Sequence, residues 1–336
     1  MSHQAVPMKA ITTTTTAAVG GDDWSPDDLQ IPINVRLDGC IVPNTTSGAA
    51  RVSFSNVVVL DNLVDDKVRR QLAEFLVDDP SGSVATLPEG TWERKTADME
   101  GAQPTWGLKP HILSQLTSTS RPLPSCIVEI QSRLAALYPE YTIYHLPSEY
   151  IQGQQMNDDA VEADCSSFLA NAADASDSFI FHQDADPTSF PSHSAWVQTY
   201  GDYFNGEPRK PLLVTLLVYA NDVWGRDWGG ETLFLDASTQ AGVFVQPKPC
   251  RAVLMHQDVV HRVSPPSASA PPGRKRLSFV WKLVFVRNST STASGGGDID
   301  SICIARKEWG QPSSIGSAAR VEAVMKQIAK QQQHRR

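Results

Sequence analysis

The chain has 336 residues, 41% of them hydrophobic, which suits either two domains or one β-rich domain with decorated ends. A net charge of −8 and a pI near 5.5 offer no global attraction for nucleic acid or an anionic membrane. The five cysteines (Cys40, Cys126, Cys165, Cys250, Cys303) are scattered and form no CxxC pair or Cys/His cluster, which argues against zinc and for reduced thiols.

Residues 1–50 are rich in Thr, Ala, Gly and Asp and are expected to be a mostly flexible leader. They hold no charged segment followed by an apolar block, so no secretory signal is expected. The longest apolar run, Leu212 to Ala220, falls far short of the ~20 residues that span a bilayer. A soluble protein of the cytoplasm or nucleus is the expectation.

Order is predicted to begin with a strand at Val57 to Leu60. Asp61 and Asn62 are expected to cap a helix with Val64, Val68, Leu72 and Leu76 on one face, ended by Pro80, Ser81 and Gly82. Gly90 to Gly107 predicts a long loop or irregular hairpin that overhangs the site. A second helix is predicted from Pro124 to Leu137, with Ile127, Ile130, Leu134 and Leu137 at spacings of three and four.

From Tyr141 the pattern turns to strands. They are expected at 141–146, 179–184, 212–219, 231–235, 242–246, 252–255 and 277–286, and residues 153–177 are expected to be an insertion with little structure. Short strands at this spacing indicate a mainly β sandwich or barrel with the two helices on its outer face. The folded unit is placed at 51–290 with its core at about 141–287. The remaining 291–336 reads as a linker and a tail helix carrying Val321, Val324 and Ile328.

One constellation carries chemistry. His182 and Asp184 are two apart, so on an extended strand both face one side. With a histidine from a later strand they form the two-imidazole, one-carboxylate set that holds non-haem Fe(II) and leaves positions open. His256 and Asp258 repeat the spacing, but only the earlier pair has a histidine well downstream, His261. The assigned metal and catalytic residues are therefore His182, Asp184 and His261. Asp258 and His256 are left as supporting or turn residues. Arg276 and Ser278 share one strand face, and a guanidinium fork beside a hydroxyl suits a carboxylate.

Taken in order, His182 to Asp184, Leu216 to Asp222 leading into Gly229 to Thr232, and His261 to Ser264 leading to Arg276 and Ser278 resemble the 2-oxoglutarate- and Fe(II)-dependent oxygenases. The likeness is to the prolyl-4-hydroxylase-like branch and covers about Tyr141 to Phe285. It implies a double-stranded β-helix (jelly-roll) core packed against N-terminal helices. It also implies Fe(II), 2-oxoglutarate and O2, with ascorbate as reductant. Arg276 and Ser278 then take the distal carboxylate of 2-oxoglutarate, and Tyr144 or Tyr150 contacts the same co-substrate. The implied reaction hydroxylates a C–H bond of a protein residue or small molecule and releases succinate and CO2. The retained Asp184 favours hydroxylation over halogenation.

Two other functions fit parts of the pattern. Arg276 followed by Lys282 matches the spacing of AlkB-like nucleic-acid demethylases, although the acidic charge argues against them. An inactive jelly-roll binding protein is the other, and the intact His182, Asp184, His261 and Arg276 argue against it. Trp224, Trp228 and Trp106 are the substrate-contact candidates, with Trp92 and Trp281 as further aromatics.

Overall fold

The strand Arg276–Arg287 (β12) organises the molecule: ten of its residues are buried in succession, the mark of a strand covered on both faces. The computed structural model describes residues 32–34, 56–95, 104–117, 123–139, 141–146, 168–177, 179–207, 209–236 and 240–287. Alternation along β12 splits two environments. Leu277, Phe279, Trp281, Leu283 and Phe285 enter a core shared with the helices, while Arg276, Ser278, Val280, Lys282 and Val284 face the other way.

The remaining strands are β1 (Pro32–Asn34), β2 (Asn56–Asp61), β3 (Trp92–Lys95), β4 (Thr105–Leu108), β5 (Tyr141–His145), β6 (Phe168–Ala173), β7 (Leu212–Tyr219), β8 (Thr232–Leu235), β9 (Gly242–Val245), β10 (Arg251–His256) and β11 (Val260–Val263). The helices are α1 (Asp66–Val77), α2 (Pro110–Thr117), α3 (Ser125–Leu137) and α4 (Ala195–Tyr200).

Among the described residues, nine strands form the larger sheet, running β1-β2-β10-β7-β12-β6-β4-β3, with β5 paired to the far half of β12. The smaller sheet runs β11-β8-β9, and all strand pairings among the described residues are antiparallel. Val57, Val59, Leu217, Tyr219, Phe234, Val253, Met255 and Val280 fill the space between the sheets. Two antiparallel sheets closed over a common core are the jelly-roll expected from the sequence.

The helices cover the outer face of the larger sheet. Val68, Leu72 and Leu76 of α1 and Ile127, Ile130 and Leu134 of α3 join the odd-numbered side chains of β12 in one core. Each such side chain stabilises the fold by about 1.5–3 kcal/mol relative to exposure. The N-cap of α1 is Asp65, which accepts from Val68 N at 2.9 Å, and not Asp61 or Asn62. Asp61 is unavailable because Arg251 and Lys248 hold its carboxylate at the end of β2. Burial opposes its ionisation, but those two cations keep its pKa below the usual range.

Three further expectations change. Residues 168–173, placed in a structureless insertion, form β6 between β12 and β4. Two faces of small residues explain the weak signal: Ala170 and Ala172 enter the helix-side core, and Ala173 lies opposite Arg276. Residues 179–184 make no strand beyond a single bridge at His182. Three residues of the expected leader form β1 against β2. Gly90 to Gly107 contains a hairpin, β3 paired with β4. Helices α2 and α4 were not anticipated. The tail helix lies outside the described residues. No described helix is long and apolar enough to cross a membrane.

Candidate metal centre

His182 and His261 are joined backbone to backbone. His182 N donates to His261 O at 3.0 Å, and His261 N donates to His182 O at 2.8 Å. This one antiparallel pair puts the two rings side by side, with centroids 4.4 Å apart. Past His182 the chain bends toward the β10–β11 turn, where Asp184 N and Ala185 N both donate to Gln257 O. Asp184 is thereby delivered to the same point, and the ligand atoms of His182, Asp184 and His261 all lie within 4.8 Å of one another.

Each imidazole is oriented through Nδ1. His182 Nδ1 lies 3.0 Å from Ile180 O and His261 Nδ1 lies 2.9 Å from Val259 O. A carbonyl can only accept, so Nδ1 carries the proton and Nε2 is left with its lone pair for a metal. Burial pushes His261 down to about 4, against the opposing pull of Asp184, so the ring is neutral and able to ligate near neutrality. Burial works against the charge on Asp184, yet Lys282, the imidazoles and the Thr215 hydroxyl outweigh it and hold the carboxyl at about 2. The donor set fits Fe(II): two imidazole nitrogens and one carboxylate oxygen, with no fourth ligand among the described residues.

The second HxD triplet is the support for the first. Gln257 is fully buried and donates to Val214 O and Leu283 O, tying the turn to β7 and β12. Asp258 O accepts from Gln183 Nε2 at 2.7 Å, and its carboxylate accepts from Asn205 Nδ2 at 3.0 Å. Burial raises Asp258 to about 7.

Arg276 is fully buried on the same face of β12 as Lys282. Its guanidinium donates to Ser278 Oγ at 3.0 Å and Thr232 Oγ1 at 2.9 Å and stands 4.9 Å from the Tyr219 ring centre. Tyr219 Oη and Thr232 Oγ1 are 2.8 Å apart. Burial lowers the pKa of Arg276, although a guanidinium stays charged. Its Nε is buried without a hydrogen-bond partner, and among the described residues Arg276 forms no ion pair. Glu231 acts on the guanidinium electrostatically, and the free Nε leaves it a donor for a carboxylate ligand.

The loop before β8 closes this pocket. Gly230, at φ +75°, is where a Cβ would come within 3.1 Å of the Trp224 ring and 3.2 Å of Arg276 Cδ. Trp224 is buried and donates to Gly229 O at 2.8 Å. Trp228 packs edge-on against it at 5.7 Å and lies under Arg274.

The structure thus brings together His182, Asp184 and His261, and separately sets Arg276 against Ser278 and Thr232, with Trp224 beside the stem of Arg276 and Trp228 packed on Trp224. Other candidates fall elsewhere. Trp106 packs on the helix-side core, near Arg94 and Lys275. Trp92 and Trp281 are buried in that same core. Tyr144 sits opposite Val284, in a cluster with Trp196, Tyr203 and Leu213, beyond Lys282 from Arg276. Tyr150 lies outside the described residues. Tyr219, Thr232, Thr215 and Lys282 were missed, and the tyrosine beside Arg276 is Tyr219.

Residues 178–282 match the family model of the 2OG-Fe(II) oxygenase superfamily. The chain carries a 2OG-Fe(II) oxygenase domain. The match runs from four residues before His182 through Lys282, so it contains the triad and the Arg276 pocket. This superfamily employs Fe(II), 2-oxoglutarate and O2, which makes the oxygenase an oxidoreductase. Similar solved structures include a prolyl-4-hydroxylase from Pseudomonas putida (14% identity, 69% of this chain and 92% of that one, TM-score 0.33). A prolyl hydroxylase from Trichoplax adhaerens, in complex with a hypoxia inducible factor oxygen degradation domain peptide, aligns at 14% identity over 71% and 87% with a TM-score of 0.37. A prolyl 4-hydroxylase from Phytophthora capsici aligns at 16% over 75% and 68% with a TM-score of 0.34. No curated protein matches the chain.

Proposed function

We propose that this protein is a 2-oxoglutarate-dependent hydroxylase of the prolyl-4-hydroxylase-like branch. It acts on a C–H bond of a protein residue, prolyl in type, or of a small molecule, and releases succinate and CO2. The observation that carries this reading is Arg276, a fully buried guanidinium with an unpartnered Nε in the same module as the triad. A buried guanidinium with a free donor suits an arriving carboxylate.

Each residue then has a task. His182, His261 and Asp184 hold the metal, and the Nδ1 bonds keep both rings presenting Nε2. Arg276, with Ser278, Thr232 and Tyr219 around it, binds the distal carboxylate and so fixes the co-substrate's direction. Trp224 and Gly230 shield the stem of Arg276 and strengthen that charge pairing by excluding water. Iron in the triad supplies oxygen activation, and ascorbate serves as the external reductant.

Trp224 and Trp228 are proposed as the rim that substrate passes. The domain is assigned to residues 51–290, in a reducing compartment, cytoplasmic or nuclear, consistent with the free thiols Cys126 and Cys250. Lys282 is turned onto Asp184 at 3.5 Å, which weighs against its serving as a second nucleic-acid-facing cation. A screen of peptide and metabolite pools for succinate release, with mass spectrometry for a product gaining one oxygen atom, tests the proposal. Substrate-dependent succinate supports it, and its absence from every pool with the metal-loaded protein opposes it.

A further inference from the structure

Lys282 is almost fully buried, and its Nζ lies 3.5 Å from Asp184 Oδ1. The other oxygen of that carboxylate, Oδ2, accepts from Thr215 Oγ1 at 2.6 Å. Thr215 and Lys282 face each other across the β7–β12 ladder, so one cross-strand pair grips both oxygens of the carboxylate of the triad. A hydroxyl alone would orient the carboxylate. Adding a buried ammonium beside a site built for a dication calls for a reason, because the two cations repel in a medium of low dielectric.

The reason lies in the charge of the whole pocket. Arg276 is on the same face of β12, and Glu231 is close enough to act on it electrostatically, held by Ser264. Lys282 offsets the charge of Asp184, and Glu231 lies within electrostatic reach of Arg276. Into this balanced pocket a divalent metal alone brings two uncompensated positive charges. The 2-oxoglutarate dianion alone brings two negative ones. Together they restore the balance.

We propose that Lys282 is a positioning residue that couples metal binding to co-substrate binding. It weakens retention of the metal alone and favours the ternary state. With Thr215 it also holds Asp184 so that one oxygen remains bonded to the threonine while the other is offered to the metal. Coupling between ligands is reciprocal, so 2-oxoglutarate tightens the metal by the same factor as the metal tightens 2-oxoglutarate. This inference rests on the proposed use of 2-oxoglutarate.

The test uses the full chain, Mn(II) as an oxygen-inert probe, and the electron paramagnetic resonance signal of free Mn(II) as the readout, with and without 2-oxoglutarate. For the wild type we expect 2-oxoglutarate to tighten Mn(II) by about 10-fold or more, within the usual range of site coupling. Lys282→Met and Lys282→Gln are expected to bind Mn(II) alone about 5-fold or more tighter and to lose most of the coupling. Lys282→Arg keeps the charge and the wild-type pattern. Thr215→Val weakens Mn(II) with or without the co-substrate.

Neutral variants that bind Mn(II) alone no tighter than the wild type, while wild-type coupling is present, would overturn the role of Lys282 and leave the proposed function standing. A wild type that binds Mn(II) with no response to 2-oxoglutarate would overturn both. The Arg variant controls for folding, since loss of coupling there as well would assign the effect to shape and reject the charge account.

Discussion

His182 and His261 exchange both of their backbone hydrogen bonds, at 3.0 and 2.8 Å, although His182 belongs to no regular strand. The metal centre is therefore assembled by the minor sheet: β11 supplies one histidine and holds the other against its edge. Rotation of either ring is restrained by a carbonyl two residues earlier in the chain.

Removing a ligand abolishes binding where removing a support only weakens it. His182→Ala, Asp184→Ala and His261→Ala are each expected to lower Mn(II) affinity by more than the about 10–100-fold typical of losing a supporting group. Gln257→Ala, which removes the turn's tie to Val214 O and Leu283 O, is expected to fall within that range. Titration calorimetry separates the two classes, and equal effects from both would count against the assignment of ligands.

Arg276→Met should act oppositely on stability and function. It deletes a fully buried guanidinium whose Nε has no partner, so the metal-free variant should melt no lower than the wild type. It should also raise the KM for 2-oxoglutarate by about 10-fold or more, because hydrogen bonds to charged groups contribute about 1.5–3 kcal/mol each. Thermal melts and succinate assays check both halves. A lower melting temperature with unchanged KM would make Arg276 structural.

Gly230→Ala tests the pocket wall. The residue has φ +75°, and a Cβ there would press the Trp224 ring and the stem of Arg276 at 3.1 and 3.2 Å. Backbone strain of about 1–3 kcal/mol is expected, together with weaker 2-oxoglutarate binding and little change in Mn(II) affinity. Weakened Mn(II) binding of similar size would place this loop in the metal shell.

The metal-free protein should lose stability in acid in two stages. Burial holds His261 down at about 4, so across the range from its ordinary 6.5 to that value the unfolded chain binds more protons and stability falls with pH. The full loss is about 3 kcal/mol as an order of magnitude. Asp184 is held at about 2, so its contribution is present above the ordinary 3.8 and disappears as pH falls toward 2. Urea unfolding across these ranges, compared with His261→Gln, should show the upper stage only in the wild type. The same slope in the variant would remove His261 as its source.

The triad, Arg276 and Ser278 were legible because strand alternation makes residues two apart share a face, and the order of the motifs does the rest. Tyr219, Thr232, Thr215 and Lys282 were not, because their roles depend on register between strands distant in sequence. Tyr219 lies beside the pocket because it pairs with Ser278, whereas Tyr144 pairs with Val284 at the other end of β12. The strand β6 was hidden by its alanines, which carry little β preference and are held by β12. The cap of α1 moved to Asp65 because a strand-to-strand ion pair captured Asp61.

Binding of 2-oxoglutarate to the Mn(II)-loaded protein, measured by calorimetry, tests the central claim most directly. Binding should be present in the wild type, lost in His182→Ala through the metal, and weakened about 10-fold or more in Arg276→Met through the distal carboxylate. Binding undiminished in Arg276→Met, or absent from a wild type loaded with metal, would contradict the assignment of this pocket.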